Sequence, residues 1–195
     1  MAHASATPHG VQKNFAMHPI ETGAASFSAA CAKVSFRFWR SASMSAESRL
    51  RELGLTLPEP PASGGNYVSA KRVGAMVYLA GAISTDANGV ITGTAGANRT
   101  IEDGYAGARA CALSQLAVLR RELGTLNAVK SIVAVNGYVN AVPGFADSPK
   151  VINGASDLFV EIFGESGRHV RAAIGVSALP GNALVELQMS VEVSD

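Results

Sequence analysis

Residues 170–193, VRAAIGVSALPGNALVELQMSVEV, constrain the fold more than any other segment, because two runs of strict alternation flank a turn. Val170, Ala172, Ile174 and Val176 alternate with Arg171, Ala173, Gly175 and Ser177, the period of two that a half-buried strand requires. The second run is stronger: Val185, Leu187, Met189, Val191 and Val193 make an apolar face, and Glu186, Gln188, Ser190 and Glu192 make the other. Between them Leu179-Pro180-Gly181-Asn182 supplies a turn, since Pro presets φ and Gly tolerates a positive φ. This alternation predicts that Arg171 and Glu186 share the face turned away from the core. With the turn centred on Pro180 and Gly181, Glu186 lies opposite Gly175, four residues along from Arg171, or roughly 13 Å at strand rise. Two long side chains leaning together from there would enclose a small acid and a water. A slip of one residue would send the two groups to opposite faces.

The rest of the chain supplies the other layers. Residues 45–53 read as a short helix stopped by Gly54, followed by an extended linker with Pro58, Pro60, Pro61, Gly64 and Gly65. The compact fold is expected to begin near Asn66. Residues 67–73 and 75–82 read as strands joined at Gly74, and Asp86-Ala87-Asn88-Gly89 is a turn before Val90 and Ile91. Thr100 and Asp103 form a capping box for a long helix whose stripe is Ile101, Tyr105, Ala108, Ala112, Leu116, Leu119 and Leu123, closed by Gly124. Residues 128–139 read as a third strong strand and 140–148 as a loop. Pro149 suits the first turn of a second helix with Ile152, Ala155 and Phe159 on its core stripe. The order ββαβαββ predicts an α+β fold, two helices covering one face of a mixed sheet. The other face would bear Arg171, Ala173, Gly175, Ser177, Glu186 and Gln188. A symmetric oligomer that packs those faces together would create sites at subunit boundaries.

Composition narrows the function classes. From residue 44 onward the chain has 12 basic and 14 acidic residues, a net charge of −2, against +1 for the whole sequence. With no basic run and no interleaving of aromatic and basic residues, it offers little electrostatic footprint for a phosphate backbone, so nucleic-acid binding ranks last. No apolar run approaches the length that spans a bilayer, and no membrane partner is expected. Residues 1–43 are poor in acids and carry three of the four histidines. They read as a disordered or spurious N-terminal extension, with a processed targeting segment as the alternative. Cys31 and Cys111 imply no disulfide framework, which fits a reducing, cytoplasmic setting. His169 is the sole histidine after residue 43, which argues against a zinc site of several His and Cys ligands; no metal or organic cofactor is expected.

GNYVSAKRVGAMVYLAG at 65–81, the long helix, the Asn153-containing helix start and, above all, Arg171, Leu179-Pro180 and Glu186 in their spacing resemble the RidA/YjgF family. The likeness is strongest to the branch called endoribonuclease L-PSP or chorismate-mutase-like, and it spans about residues 64–193. The resemblance implies a chorismate-mutase-like fold, a homotrimer with ligand clefts between subunits, and hydrolysis of reactive imino acids such as 2-aminoacrylate to a 2-keto acid and ammonia. It implies that Arg171 grips the substrate carboxylate, which suits a planar bidentate donor. Glu186 would activate the attacking water. Gly81 would offer backbone contacts, with Tyr67 and Asn153 shaping the cleft. Read without the resemblance, Tyr67 is equally a packed aromatic and Asn153 a helix-start residue making local hydrogen bonds. Two positions depart from the pattern: Ala80-Gly81-Ala82 lacks the family's usual hydroxyl, and Ala173 stands where a thiol is common.

Three functions follow in order. The first is a RidA-like imine deaminase, a hydrolase with Arg171 and Glu186 as its catalytic pair. The second is a non-catalytic sensor binding a small carboxylate metabolite in the same cleft, favoured by Ala80 and Ala173. The third, an endoribonuclease, rests on the family label alone. Cys111 reads as a small core residue, and His169 is assigned no role.

Overall fold

The computed structural model describes residues 44–194. The expectation for residues 1–43 lies outside the described residues. Eleven named elements run in chain order: α1 (Ala46–Glu52), β1 (Ala70–Val73), β2 (Met76–Leu79), β3 (Ala82–Ile83), β4 (Thr85–Asp86), β5 (Gly89–Val90), α2 (Ile101–Leu123), β6 (Val129–Asn140), α3 (Ser148–Phe163), β7 (Val170–Val176) and β8 (Val185–Val193). The main sheet has the order β1-β2-β8-β6-β7, and β3 pairs with β8 beyond the end of β2. β6 and β7 are parallel and the other pairs antiparallel, so the sheet is mixed, as the alternation of elements predicts.

Local chemistry fixes the helices. Thr100 Oγ1 accepts from the Asp103 amide at 3.1 Å and Asp103 Oδ2 accepts from the Thr100 amide at 3.0 Å, a reciprocal box that satisfies two donors at the start of α2. Gly124, at φ 77°, closes the helix in the left-handed region. α3 carries Pro in its first turn and buries Val151, Ile152, Ala155, Leu158, Phe159 and Ile162. Gly137 lets Ile152 settle onto β6, where a methyl group would collide with it. Both helices lie on the sheet face formed by Val77, Val135, Leu187, Met189 and Val191, which together with the helical stripes make the core.

The segment read as a short helix and linker shares that core. Leu50 and Leu57 are buried in it, Arg49 Nε donates to the Glu161 carbonyl at 2.9 Å, and Glu47 Oε1 accepts from the Leu126 amide at 3.0 Å. Among the described residues, packing therefore already includes α1, ahead of residue 66.

Two expectations about the sheet need correction. The strands holding Arg171 and Glu186 are consecutive in sequence but not neighbours in space, because β6 lies between β7 and β8. Through Tyr138, Glu186 aligns with Ile174; through Val135, Arg171 aligns with Met189. Paired residues point the same way, so Arg171, Ala173 and Gly175 face the helices with Met189, Leu187 and Val185, and Glu186 and Gln188 face the open side. Arg171 and Glu186 thus point to opposite sides of the sheet. The apolar set Val170, Ala172, Ile174 lies on the open side, where Val170 is 71% and Ile174 50% exposed.

The second correction concerns the strand expected over 75–82. Tyr78 pairs with Ser190 and Ala82 with Leu187, so four steps on one side match three on the other. One extra residue is inserted at Leu79 to Gly81, a bulge that separates β2 from β3. Its cause is remote in sequence. The buried Gln115 side chain of α2 donates from Nε2 to the Ala80 carbonyl at 2.9 Å and to the Leu187 carbonyl at 2.7 Å, bridging the gap in place of a ladder bond.

Candidate functional site

The bulge and β8 create one half of the candidate site. Glu186 pairs with Ile83 on one side and Tyr138 on the other, and its carboxylate lies against the backbone of Gly81. A Cβ at Gly81 would overlap the carboxylate oxygen and stand 3.1 Å from Glu186 Cδ, so only glycine admits this arrangement. From there a cleft of about 370 Å³ runs beneath residues 61–69 to α2, lined among others by Tyr67, Ala80, Gly81, Gln115, Val118 and Glu186. The Tyr67 hydroxyl accepts from the Gly64 amide at 3.1 Å, which folds the covering segment on itself. On the open face, Gly81 and Glu186 also border a depression of about 330 Å³ with Tyr138, Leu179 and Gln188. The carboxyl is therefore reached from two sides.

Glu186 is only part exposed, and among the described residues no hydrogen-bond donor engages its carboxylate. Desolvation raises its pKa above the usual carboxylate range. Such a carboxyl, more basic than one in water, suits the taking and returning of a proton. Cys111 lies fully buried beneath β8 with its thiol near the Val185 carbonyl. Burial first, and the charge of Glu186 second, push its pKa up, so it is a core residue and not a nucleophile.

The second half lies at the sheet edge. Arg171 Nη1 donates to Asn153 Oδ1 and to Ser156 Oγ, both at 2.9 Å, and Nη2 donates to the Pro149 carbonyl at 3.3 Å. Three of the five guanidinium donors are thus engaged by α3, which aims the group and leaves two N–H bonds, on Nε and Nη2, for another acceptor. Asn153 acts here on the arginine. Arg171 also borders a depression of about 260 Å³ with Ser156, Asp157, Arg168 and His169.

The predicted residues therefore gather in two groups: Gly81, Tyr67 and Glu186 in one, Arg171 and Asn153 in the other. By strand spacing and rise the two groups are about 14 Å apart at their backbones, on opposite faces. Sequence reasoning missed Gln115, although a polar residue on the apolar stripe of α2, between Ala112 and Leu119, is a readable signal. It also missed Ser156 and His169, which no local pattern marks. Among the described residues no group of three or more His, Cys, Asp or Glu could hold a metal ion. No helix among them is long and apolar enough to cross a membrane.

Comparison with known proteins gives concordant matches. The family model described as "YjgF/chorismate_mutase-like, putative endoribonuclease" matches residues 47–193. Protein TCP17 of Trypanosoma cruzi is 41% identical over 150 residues, covering 76% of this chain and 94% of that protein. A solved Agrobacterium tumefaciens protein of unknown function is 37% identical, with a TM-score of 0.70, covering 76% of this chain and 94% of its own. A Shewanella oneidensis structure named a "putative endoribonuclease" is 35% identical with a TM-score of 0.74, covering 77% of this chain and 100% of its own. RidA from an Antarctic Psychrobacter is 25% identical with a TM-score of 0.50, covering 69% and 94%.

Proposed function

Because the chain belongs to the YjgF/chorismate mutase-like family, the RidA family, we propose that it is an imine deaminase, hydrolysing a small reactive imino acid to a 2-keto acid and ammonia. The observation that carries this reading is the Glu186 carboxyl, half-buried, raised in pKa and without a donor among the described residues, beside the exposed backbone of Gly81 at the mouth of a cleft. In the reaction, water attacks the carbon of the protonated C=N group as Glu186 takes one of its protons, giving a neutral carbinolamine. Glu186 returns that proton to nitrogen, the C–N bond breaks with its electron pair leaving on ammonia, and the hydroxyl gives its proton to Glu186 as the carbonyl forms. Arg171 supplies the carboxylate anchor through its uncommitted N–H pair.

One chain cannot bring these groups together, since they point to opposite sides of its sheet. The reading therefore includes a homotrimer, in which Arg171 of one subunit meets Glu186 of the next. Support comes from the position of Arg171 on the edge strand β7 and from the exposed Val170, Ile174 and Tyr78 on the open face, which an assembly would cover. The setting in this reading is cytoplasmic, where Cys111 stays a free thiol.

The experiment generates 2-aminoacrylate in situ and follows ammonia and pyruvate. Wild type should accelerate both, and Glu186→Gln and Arg171→Ala should not; an undiminished rate in Glu186→Gln removes the mechanism. A second reading, a carboxylate sensor, is favoured by Ala80, which places no hydroxyl beside Glu186. Pyruvate bound without any turnover would select it. RNA cleavage has only the family name behind it, against a net charge of −2 from residue 44 onward.

A further inference from the structure

The Arg171 half-site contains a hydrogen-bond chain whose direction is set at every step. His169 Nδ1 lies 2.7 Å from the Gly167 carbonyl oxygen, and because a carbonyl only accepts, Nδ1 carries the proton. In the neutral ring Nε2 is then the acceptor, so the Ser156 hydroxyl, 3.0 Å away, donates to it. That leaves the lone pairs of Ser156 Oγ for Arg171 Nη1, which donates at 2.9 Å. The imidazole is itself fixed. It is partly buried and meets the edge of Phe159 at 5.8 Å and 81°.

The geometry points to Ser156 and His169 as positioning residues that hold the Arg171 guanidinium in its carboxylate-binding orientation, with the full hold present only while the imidazole is neutral. This rests on the reading of Arg171 as the carboxylate anchor. A protonated ring would present Nε2–H to an oxygen that already accepts from the guanidinium. Two donors and two positive charges would then converge on one hydroxyl, whose own proton would lose its acceptor.

The charged groups around the imidazole are few. Arg171 approaches from β7, Arg168 precedes it in the chain and pairs with Glu165 at 3.0 Å, and Asp157 of α3 accepts from the Tyr105 hydroxyl at 2.9 Å. The Arg171 charge opposes protonation. Burial first, and the Arg171 charge with it, lower the pKa of His169 against the raising effect of the Gly167 hydrogen bond. The chain is thus intact at neutral pH and opens as the pH falls through the lowered imidazole pKa.

The test measures pyruvate affinity by calorimetry on the full chain between pH 5 and 8, together with KM and kcat for the imine. Ser156→Ala and His169→Phe should weaken pyruvate about tenfold at neutral pH and raise KM with little change in kcat. His169→Gln keeps an oxygen acceptor for the Ser156 hydroxyl without a titrating ring. It should restore the affinity and remove the loss that wild type shows as pH falls; any pH dependence common to both belongs to Glu186. If Arg171→Ala abolishes binding while Ser156→Ala and His169→Phe match wild type at every pH, the relay is wrong and the anchor stands. If His169→Gln binds as weakly as His169→Phe, the ring has a structural role and the relay is again wrong. If wild type does not bind pyruvate, or Arg171→Ala binds it equally well, the anchor reading falls and the relay with it.

Discussion

Replacing Gly81 by alanine tests the water-activating role of Glu186 more sharply than removing the carboxyl, because it leaves every functional group in place. The added methyl would overlap one carboxylate oxygen and stand 3.1 Å from Cδ and 3.4 Å from Cγ of Glu186. The obstacle is the far end of a flexible side chain in a half-open cleft, so Glu186 can swing aside and the fold should lose less than about 1 kcal/mol. The carboxyl itself, however, must move by roughly 1 Å or more, a misplacement that costs on the order of a hundredfold in rate, or about 2.7 kcal/mol of barrier. The assay is ammonia release from an in situ imine, run beside a thermal melt. Gly81→Ala should cut kcat about a hundredfold at near-unchanged Tm. In a double-mutant cycle, the combined Gly81→Ala and Glu186→Gln protein should be no slower than Glu186→Gln alone, because the methyl acts only through the carboxyl. Full activity in Gly81→Ala, or losses that multiply in the double variant, would refute the reasoning.

Two further outcomes follow from buried groups. Gln115→Leu strips the Ala80 and Leu187 carbonyls of a shared donor, which should cost about 2 kcal/mol and lower Tm by roughly 4–8 °C, with activity falling as the bulge relaxes; an unchanged urea midpoint would contradict it. Glu186 has a raised folded pKa, so its ionised form is disfavoured by folding. Stability should therefore fall as pH rises from the ordinary carboxylate value through the raised one, and Glu186→Gln should be more stable than wild type at neutral pH, the gain fading in acid. Activity should run the opposite way, declining as pH drops through that same titration. Melts and rates across pH 4–8 check both.

Local chemistry was legible in the sequence and long-range pairing was not. The capping box at Thr100 and the glycine stop at Gly124 form as read, since each depends on residues a few positions apart. The β8 alternation also holds, with Val185, Leu187, Met189, Val191 and Val193 all buried. β7 misled because its more apolar set is the exposed one. Ala173 packs against the core, and Gly175 faces α3 and the loop before it, where a methyl would meet Ser148 Oγ at 3.5 Å and Ala141 Cβ at 3.7 Å, ordinary contact distances. Arg171 shares that face because α3 offers it three oxygen acceptors at the rim. Nothing in residues 170–193 reveals that β6 separates the two strands. The bulge beside Gly81 was equally hidden, being made by a glutamine some 35 positions away.

The central claim is that one site needs Arg171 from one chain and Glu186 from another. Arg171→Ala and Glu186→Gln chains carrying different tags can be co-expressed and the mixed assemblies isolated. Each parent assembly should be inactive. In every mixed trimer one of the three sites between neighbours has both groups intact, so ammonia release should return to about a third of the wild-type rate. Mixed assemblies as inactive as their parents would place both groups in the same chain and contradict the account.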